Sequence, residues 1–229
     1  MKTSRNFRQI LIFAFLSAVF FLNAAAQERR LLPVDEAGKD HSFKAFRDKL
    51  ISAVKNRDAK YVLSVLDPKI KNGFGGNDGI ANFRKQWKID SSKSELWDEL
   101  LFVLTNGGAF QQEGRSKIFT APYIYSNFPD DLDPFEYSAI TGTNVRLRAK
   151  PNTEAPVVAN LSYSIVKVDY QNSVESRPDA GKYTWHKVET SDGKKGFVAG
   201  QFVRSSIDYR AGFEKKGSQW KMIFFLAGD

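Results

Sequence analysis

The histidines and the acidic residues are the side chains of this sequence best suited to chemistry. The chain has two histidines, His41 and His186, and no cysteine. A zinc site needs three or four ligands, which come mainly from these residue types. No metal site and no cofactor are therefore predicted.

Paired carboxylates are the remaining route to catalysis. A glycoside hydrolase needs two acids about 5 to 10 Å apart in space, and they can be distant in sequence. Asp78, Asp98 and Glu99 are the acids to test first. The Gly-x-Ser-x-Gly motif of many serine hydrolases is absent from the sequence. The chain is predicted not to be an enzyme, with a carboxylate-based cell-wall hydrolase as an alternative.

A glycine-rich stretch between residues 73 and 79 could cradle a phosphate, because free backbone N–H groups before a helix favour anions. Its spacing fits neither a Walker A loop nor a dinucleotide fingerprint, and no apolar strand is expected before it. We interpret Gly73 to Gly79 as a turn whose glycines adopt positive φ, with Asp78 capping the next helix.

Four helices are predicted between residues 42 and 105, because apolar residues recur there at spacings of three and four. Polar residues suited to N-caps precede them. These caps are Ser42, Asp58, Asp78 and the Ser92–Glu95 pair. Pro68 is expected to end the second helix, and Gly107 lies where the fourth should stop.

Extended segments are predicted after Gly108. One hairpin spans residues 109–119 and continues through 122–125. A second, at the C-terminus, alternates apolar and polar residues on both sides of a turn near Gly217. Its last strand, Trp220 to Leu226, is apolar on both faces and needs a sheet to join. The predicted fold class is α+β, in which this hairpin pairs with 109–126 and completes a small helical N-terminal unit.

Three motifs between residues 138 and 205 occur in a recognisable order. They are Leu147-Arg148 with Pro151, Trp185 with Val188, and a closing run of Gly193, Gly196, Phe197, Val198 and Phe202. This arrangement resembles the bacterial SH3-like (SH3b) family. Arg146 and Lys150 replace the usual Asn and Gly of that pattern, and Phe197 and Phe202 replace Trp and Tyr.

The resemblance implies a small SH3-like β-barrel between the helical unit and the C-terminal hairpin. It further implies a binding function, with peptidoglycan or a cell-envelope peptide as ligand. The candidate ligand-binding residues are Arg148, Lys150, Tyr163, Tyr183 and His186. In such strands the position of His186 usually points outward, so a solvated surface residue is the alternative interpretation. A second alternative is an envelope scaffold protein in which the barrel is structural and the partner is another envelope protein.

The N-terminus has the pattern of a secretory signal peptide. Lys2, Arg5 and Arg8 precede an apolar run that is too short to span a membrane, and small residues end at Ala26. An exported protein is predicted, periplasmic or extracellular, without a stable membrane anchor after cleavage and without a nucleic-acid partner. The three basic residues account for three of the formal net charge of +8, which leaves +5 and mildly favours anionic envelope polymers.

The predicted organisation has five parts. They are the signal peptide over 1–26, a flexible lead over 27–41, the first part of the α+β unit over 42–137, the SH3-like barrel over 138–205 and the C-terminal hairpin over 206–229.

Overall fold

The computed structural model describes residues 28–175 and 183–228. This part of the chain is mixed α+β and contains two β-sheets. The predicted signal peptide over 1–26 lies outside the described residues. No helix among the described residues is both long and apolar enough to cross a bilayer.

Five α-helices and twelve β-strands make up the described part of the chain. The helices are α1 His41–Lys55, α2 Ala59–Ser64, α3 Ile80–Trp87, α4 Leu96–Thr105 and α5 Tyr123–Ser126. The strands are β1 Leu66–Lys71, β2 Ala109–Glu113, β3 Ser116–Ala121, β4 Tyr137–Ile140, β5 Val145–Arg148, β6 Val157–Leu161, β7 Ile165–Glu175, β8 Tyr183–Glu189, β9 Lys195–Ala199, β10 Val203–Arg204, β11 Arg210–Lys216 and β12 Gln219–Leu226. Two short 3₁₀ helices, Ala37–Lys39 and Gly200–Phe202, complete the set.

The predicted caps are confirmed for α2 and wrong for α1. Asp58 accepts a hydrogen bond from the amide of Tyr61 at 2.9 Å. The N-cap of α1 is Asp40, whose carboxylate accepts from the amides of Ser42 and Phe43. The Ser42 hydroxyl instead accepts from Nε1 of Trp220, at 3.0 Å. A carboxylate one position outside the helix reaches the free amides, so the serine is left to contact the sheet.

The predictions around the glycine-rich loop need two corrections. Helix α2 ends at Ser64, and Pro68 lies within β1. This strand is an edge of its sheet, a place where proline is tolerated, and it directly precedes the glycine-rich loop. Asp78 does not cap α3, because its carboxylate accepts from Nζ of Lys71 and the amide of Asn72. The cap position is Gly79, at φ 91°.

Two further local predictions differ from the structure. The Ser92–Glu95 pair forms no capping box, since the amide of Leu96 donates to Oγ of Ser94. The segment 122–125 does not continue the hairpin, because the chain turns at Pro122 into α5. The predicted end of the fourth helix is confirmed, because α4 ends before Gly107. The φ of Gly107 is 63°, a conformation that commonly ends a helix.

The five-stranded sheet has the order β1-β12-β11-β3-β2. Strand β12 runs parallel to β1, and the other pairs are antiparallel. The C-terminal hairpin does join the segment 109–126, since β11 pairs with β3. Its last strand, Trp220 to Leu226, was expected to pair with that segment and instead pairs with β1 and β11. The ring of Phe43, on α1, lies at the centre of the core between helices and sheet. Its centroid is within 6.0 Å of those of Phe46, Phe110, Phe119, Phe213 and Trp220.

The seven-stranded sheet has the order β10-β4-β7-β8-β9-β5-β6 and is antiparallel. It curls into a half-barrel. All its strands come from residues 137–204, between the two parts of the chain that build the five-stranded sheet. Ile140, Leu147 and Val198 are fully buried in the hydrophobic cluster of this sheet.

The flexible lead was predicted over 27–41, and its described residues 28–40 are packed against both parts of the fold. Leu31 is buried, and its amide donates to the carbonyl of Tyr163. Further along, the amide of Glu36 donates to the carbonyl of Gly108, and Asp35 forms a bidentate ion pair with Arg47. Polar composition alone did not reveal these contacts.

Candidate functional site

A cleft of about 540 Å³ opens between the half-barrel, helix α4 and the segment that follows β10. Its walls combine aromatic rings with a small number of charged and hydroxyl groups. The lining residues include Glu99, Tyr170, Tyr183, His186, Arg204 and Asp208.

Three rings of the half-barrel form one wall of the cleft. Tyr170 lies on β7, and Tyr183 and His186 lie on β8. The ring centroids of Tyr183 and His186 are 4.8 Å apart, and that of Tyr170 lies 5.6 and 5.9 Å from them. The register between β7 and β8 shifts after Asp169. Burial raises the pKa of both tyrosine hydroxyls, so both stay neutral at physiological pH.

His186 is buried, with 9% of its surface exposed, so the alternative interpretation of a solvated residue is wrong. Its Nδ1 atom is buried, and no hydrogen-bond partner for it is found among the described residues. Burial lowers its pKa to about 4, because the charged form loses its hydration. At neutral pH the wall therefore contains an uncharged imidazole beside two phenol rings.

The opposite end of the cleft is charged. Nη2 of Arg204 lies 2.5 Å from Oε2 of Glu99, and Nε of Arg204 lies 3.4 Å from Oδ2 of Asp208. The guanidinium also lies over the ring of Phe102, 4.4 Å from its centroid. Burial raises the pKa of Asp208, and the charge of Glu99 adds to this rise, while Arg204 opposes it. The guanidinium of Arg204 thus forms ion pairs with both carboxylates.

The structure does not bring the five candidate ligand-binding residues together. Tyr183 and His186 line this cleft, but the other three lie elsewhere. Arg148 is buried and donates to the carbonyl of Ala155 at 2.7 Å, which holds the loop after β5. Lys150 is exposed in that loop. Tyr163 occupies the turn between β6 and β7 at φ 56°.

Among the acids chosen for a hydrolase test, only Glu99 reaches the cleft. Asp98 is exposed on α4, and Asp78 is used within the glycine-rich loop. Sequence reasoning missed Tyr170, Arg204 and Asp208. No local signal marks them, because Glu99 and Arg204 are 105 positions apart and meet only in the folded chain. Within the described ranges, no group of three His, Asp or Glu residues could hold a metal ion.

Comparison with known proteins gives no match to any family model, curated protein or solved structure. The likeness to SH3b proteins therefore depends on the motif residues of the sequence alone.

Proposed function

We propose that this protein is an exported, non-catalytic binding protein with an SH3-like barrel, and that it engages peptidoglycan or a peptide derived from it. The observation that carries the proposal is the aromatic cleft beside Tyr170, Tyr183 and His186. A volume of about 540 Å³ is within the usual range for ligand sites, which combine apolar walls with a few polar groups.

The arrangement of charges supports binding over hydrolysis. Glu99 and Asp208 both face the guanidinium of Arg204, whose charge opposes the rise in the pKa of Asp208 that burial causes. A glycosidase instead needs one protonated acid beside an ionised one. The raised pKa of Asp208 is the single observation that favours the hydrolase alternative. Turnover of a cell-wall substrate that is lost in Asp208→Asn would support that alternative.

Sedimentation with purified sacculi tests the proposal. The full mature protein should pellet with sacculi, and Tyr183→Ala should weaken this binding by about tenfold, since aromatic side chains contribute strongly at binding sites. Lys150→Ala is the control, because Lys150 is exposed outside the cleft. If the wild-type protein stays in the supernatant, or if the two variants bind alike, the proposal fails.

A scaffold role remains the second candidate, supported by Phe74 in the glycine-rich loop. Its side chain is 60% exposed, although large apolar residues are usually buried. In this case Phe74→Ser should abolish an envelope-protein complex seen by native mass spectrometry, while Tyr183→Ala should leave that complex intact.

A further inference from the structure

We propose that the charged end of the cleft binds a primary ammonium group on an alkyl stem, such as a lysine-like side chain of a peptide. This inference names the ligand chemistry of the proposed binding site and therefore rests on the proposed function. Three features carry it: the sign of the charge in the cleft, the unused carboxylate oxygens and the aromatic walls.

The described lining of the cleft is acidic, although the chain as a whole is basic. Glu95, Glu99 and Asp208 contribute three carboxylates, and Arg204 contributes the one cation of this lining. His186 is neutral at physiological pH, because burial lowers its pKa to about 4. Counted with every carboxylate ionised, the formal charge of the described lining is −2, whereas that of the chain is +8. A recess lined by one sign of charge attracts ligands of the other sign.

The carboxylates of Glu99 and Asp208 have room for a further donor. Arg204 contacts Oε2 of Glu99 and Oδ2 of Asp208, and the amide of Ser205 also donates to Oδ2 of Asp208. For Oε1 of Glu99 and Oδ1 of Asp208, no partner is found in the described part of the chain. Each carboxylate oxygen can accept more than one hydrogen bond, and an ammonium group offers three donors.

An anionic ligand suits this end of the cleft poorly. The guanidinium of Arg204 is already engaged by both carboxylates and by the ring of Phe102. A carboxylate or phosphate bound to this guanidinium would lie beside the carboxylates of Glu99 and Asp208, and like charges placed side by side repel.

The aromatic wall suits the alkyl stem of the same ligand. Tyr170 and Tyr183 present rings to the cleft beside the neutral His186. Methylene groups pack on such rings, and a cation within about 6 Å of a ring centroid is attracted to its face. One ligand group with an apolar stem and a positive end therefore satisfies both parts of the cleft.

Titration calorimetry at low salt with three five-carbon probes tests the inference. The probes are 1,5-diaminopentane, glutarate and pentane-1,5-diol. The diamine should bind at least tenfold more tightly than the dianion or the diol. Glu99→Gln should weaken diamine binding by about tenfold, because a charge-assisted hydrogen bond is lost. Asp98→Asn, on the exposed side of the same helix, should leave it unchanged. Equal binding of diamine and glutarate, or no diamine binding, overturns the inference.

Acetylation of the amino groups on sacculi provides a test that needs no variant protein. Loss of sedimentation with acetylated but not untreated sacculi supports the inference. Equal sedimentation with both overturns it and leaves the proposed function standing. Binding of the diamine without binding to either form of sacculi supports the inference but contradicts the proposed function.

Discussion

At the scale of single residues, burial determines what the cleft can do. His186 would titrate near pH 6.5 in water, but its burial lowers the pKa to about 4. The imidazole therefore stays neutral over the pH range in which histidine usually changes charge. The charged residues that line the cleft are Glu95, Glu99, Arg204 and Asp208.

The lowered pKa of His186 predicts a loss of stability in acid. The unfolded chain binds a proton on this residue below about pH 6.5, whereas the folded chain does so only below about pH 4. Stability therefore falls as the pH drops through this window, by about 3 kcal/mol. His186→Phe keeps a ring beside Tyr170 and Tyr183 and removes this proton.

Urea unfolding at pH 7.5 and pH 4 measures the effect as a difference between wild type and variant. Acids that titrate in both proteins contribute equally to the two losses of stability, so their contributions cancel in this difference. They include Asp208, whose raised pKa increases stability as the pH falls. Wild type should lose about 3 kcal/mol more than His186→Phe. Equal losses in the two proteins would show that His186 already titrates normally in the fold.

At the scale of elements, the cleft wall depends on a close approach between β8 and the 3₁₀ helix Gly200–Phe202. A Cβ added at Gly200 would lie 2.0 Å from the carbonyl oxygen of Tyr183. That oxygen belongs to the backbone, which cannot rotate out of the way as a side chain can. Glycine at position 200 therefore sets the position of Tyr183.

Gly200→Ala should lower the free energy of unfolding by about 1 to 3 kcal/mol, as overpacking usually does, and should also weaken binding to sacculi. The matched control is Gly38→Ala, since a Cβ there would meet no atom within 4 Å. This control should change stability by no more than about 0.5 kcal/mol. Chemical denaturation of both variants makes the comparison. Similar stabilities would mean that β8 and the 3₁₀ helix separate at low cost.

At the scale of the whole molecule, β11 and β12 tie the end of the chain to its beginning. Strand β12 lies between β1 and β11, in the interior of the five-stranded sheet. Trp220, Met222 and Phe225 are buried in the same core as the helices. The last strands therefore complete a core that the first part of the chain cannot close alone.

Deletion of residues 207–229 should unfold helices α1 to α4. Burial of each large apolar side chain contributes roughly 1.5 to 3 kcal/mol, and the loss of several is comparable with a whole domain's stability of about 5 to 15 kcal/mol. Amide hydrogen exchange should show protection lost over residues 43–104. Full protection of that range after deletion would mean that the helices fold without the hairpin.

Trp220→Ala offers a milder version of the same experiment in the full chain. The variant loses the ring contact with Phe43, at 4.9 Å between centroids, and the hydrogen bond from Nε1 to Ser42. Its free energy of unfolding should fall by about 3 to 5 kcal/mol. A change below about 1 kcal/mol in thermal or urea unfolding would contradict a central role for this ring.

Export is tested on the protein purified from its host. If residues 1–26 are a signal peptide, the mature protein should begin at Gln27 and appear outside the cytoplasm. Mass spectrometry of intact protein from each cell fraction measures this directly. A mature protein that retains Met1 or the first 26 residues would contradict the prediction.

Much of the local structure and one long-range pairing could be predicted from the order of the residues. The spacing of apolar residues predicts helices α1 to α4 and both hairpins. Residues on one buried face recur about every three or four positions in a helix and every second position in a strand. The two-sided apolar pattern of β12 also predicts that its hairpin joins a sheet, which it does through the pairing of β11 with β3. The parallel pairing of β12 with β1 was not predicted. The packing of the polar lead, the strand containing Pro68 and the helix after Pro122 were not predicted, because tertiary contacts outweighed local preference there.

The candidate site, in contrast, could be recognised only in the folded chain. Two of the five residues chosen from the sequence, Tyr183 and His186, line the cleft. The charged end depends on Glu99 and Arg204, which no local pattern connects. The burial and the lowered pKa of His186 likewise depend on what packs around it. A pKa, an ion pair and a cavity are properties of groups brought together in space, and spacing along one chain does not specify them.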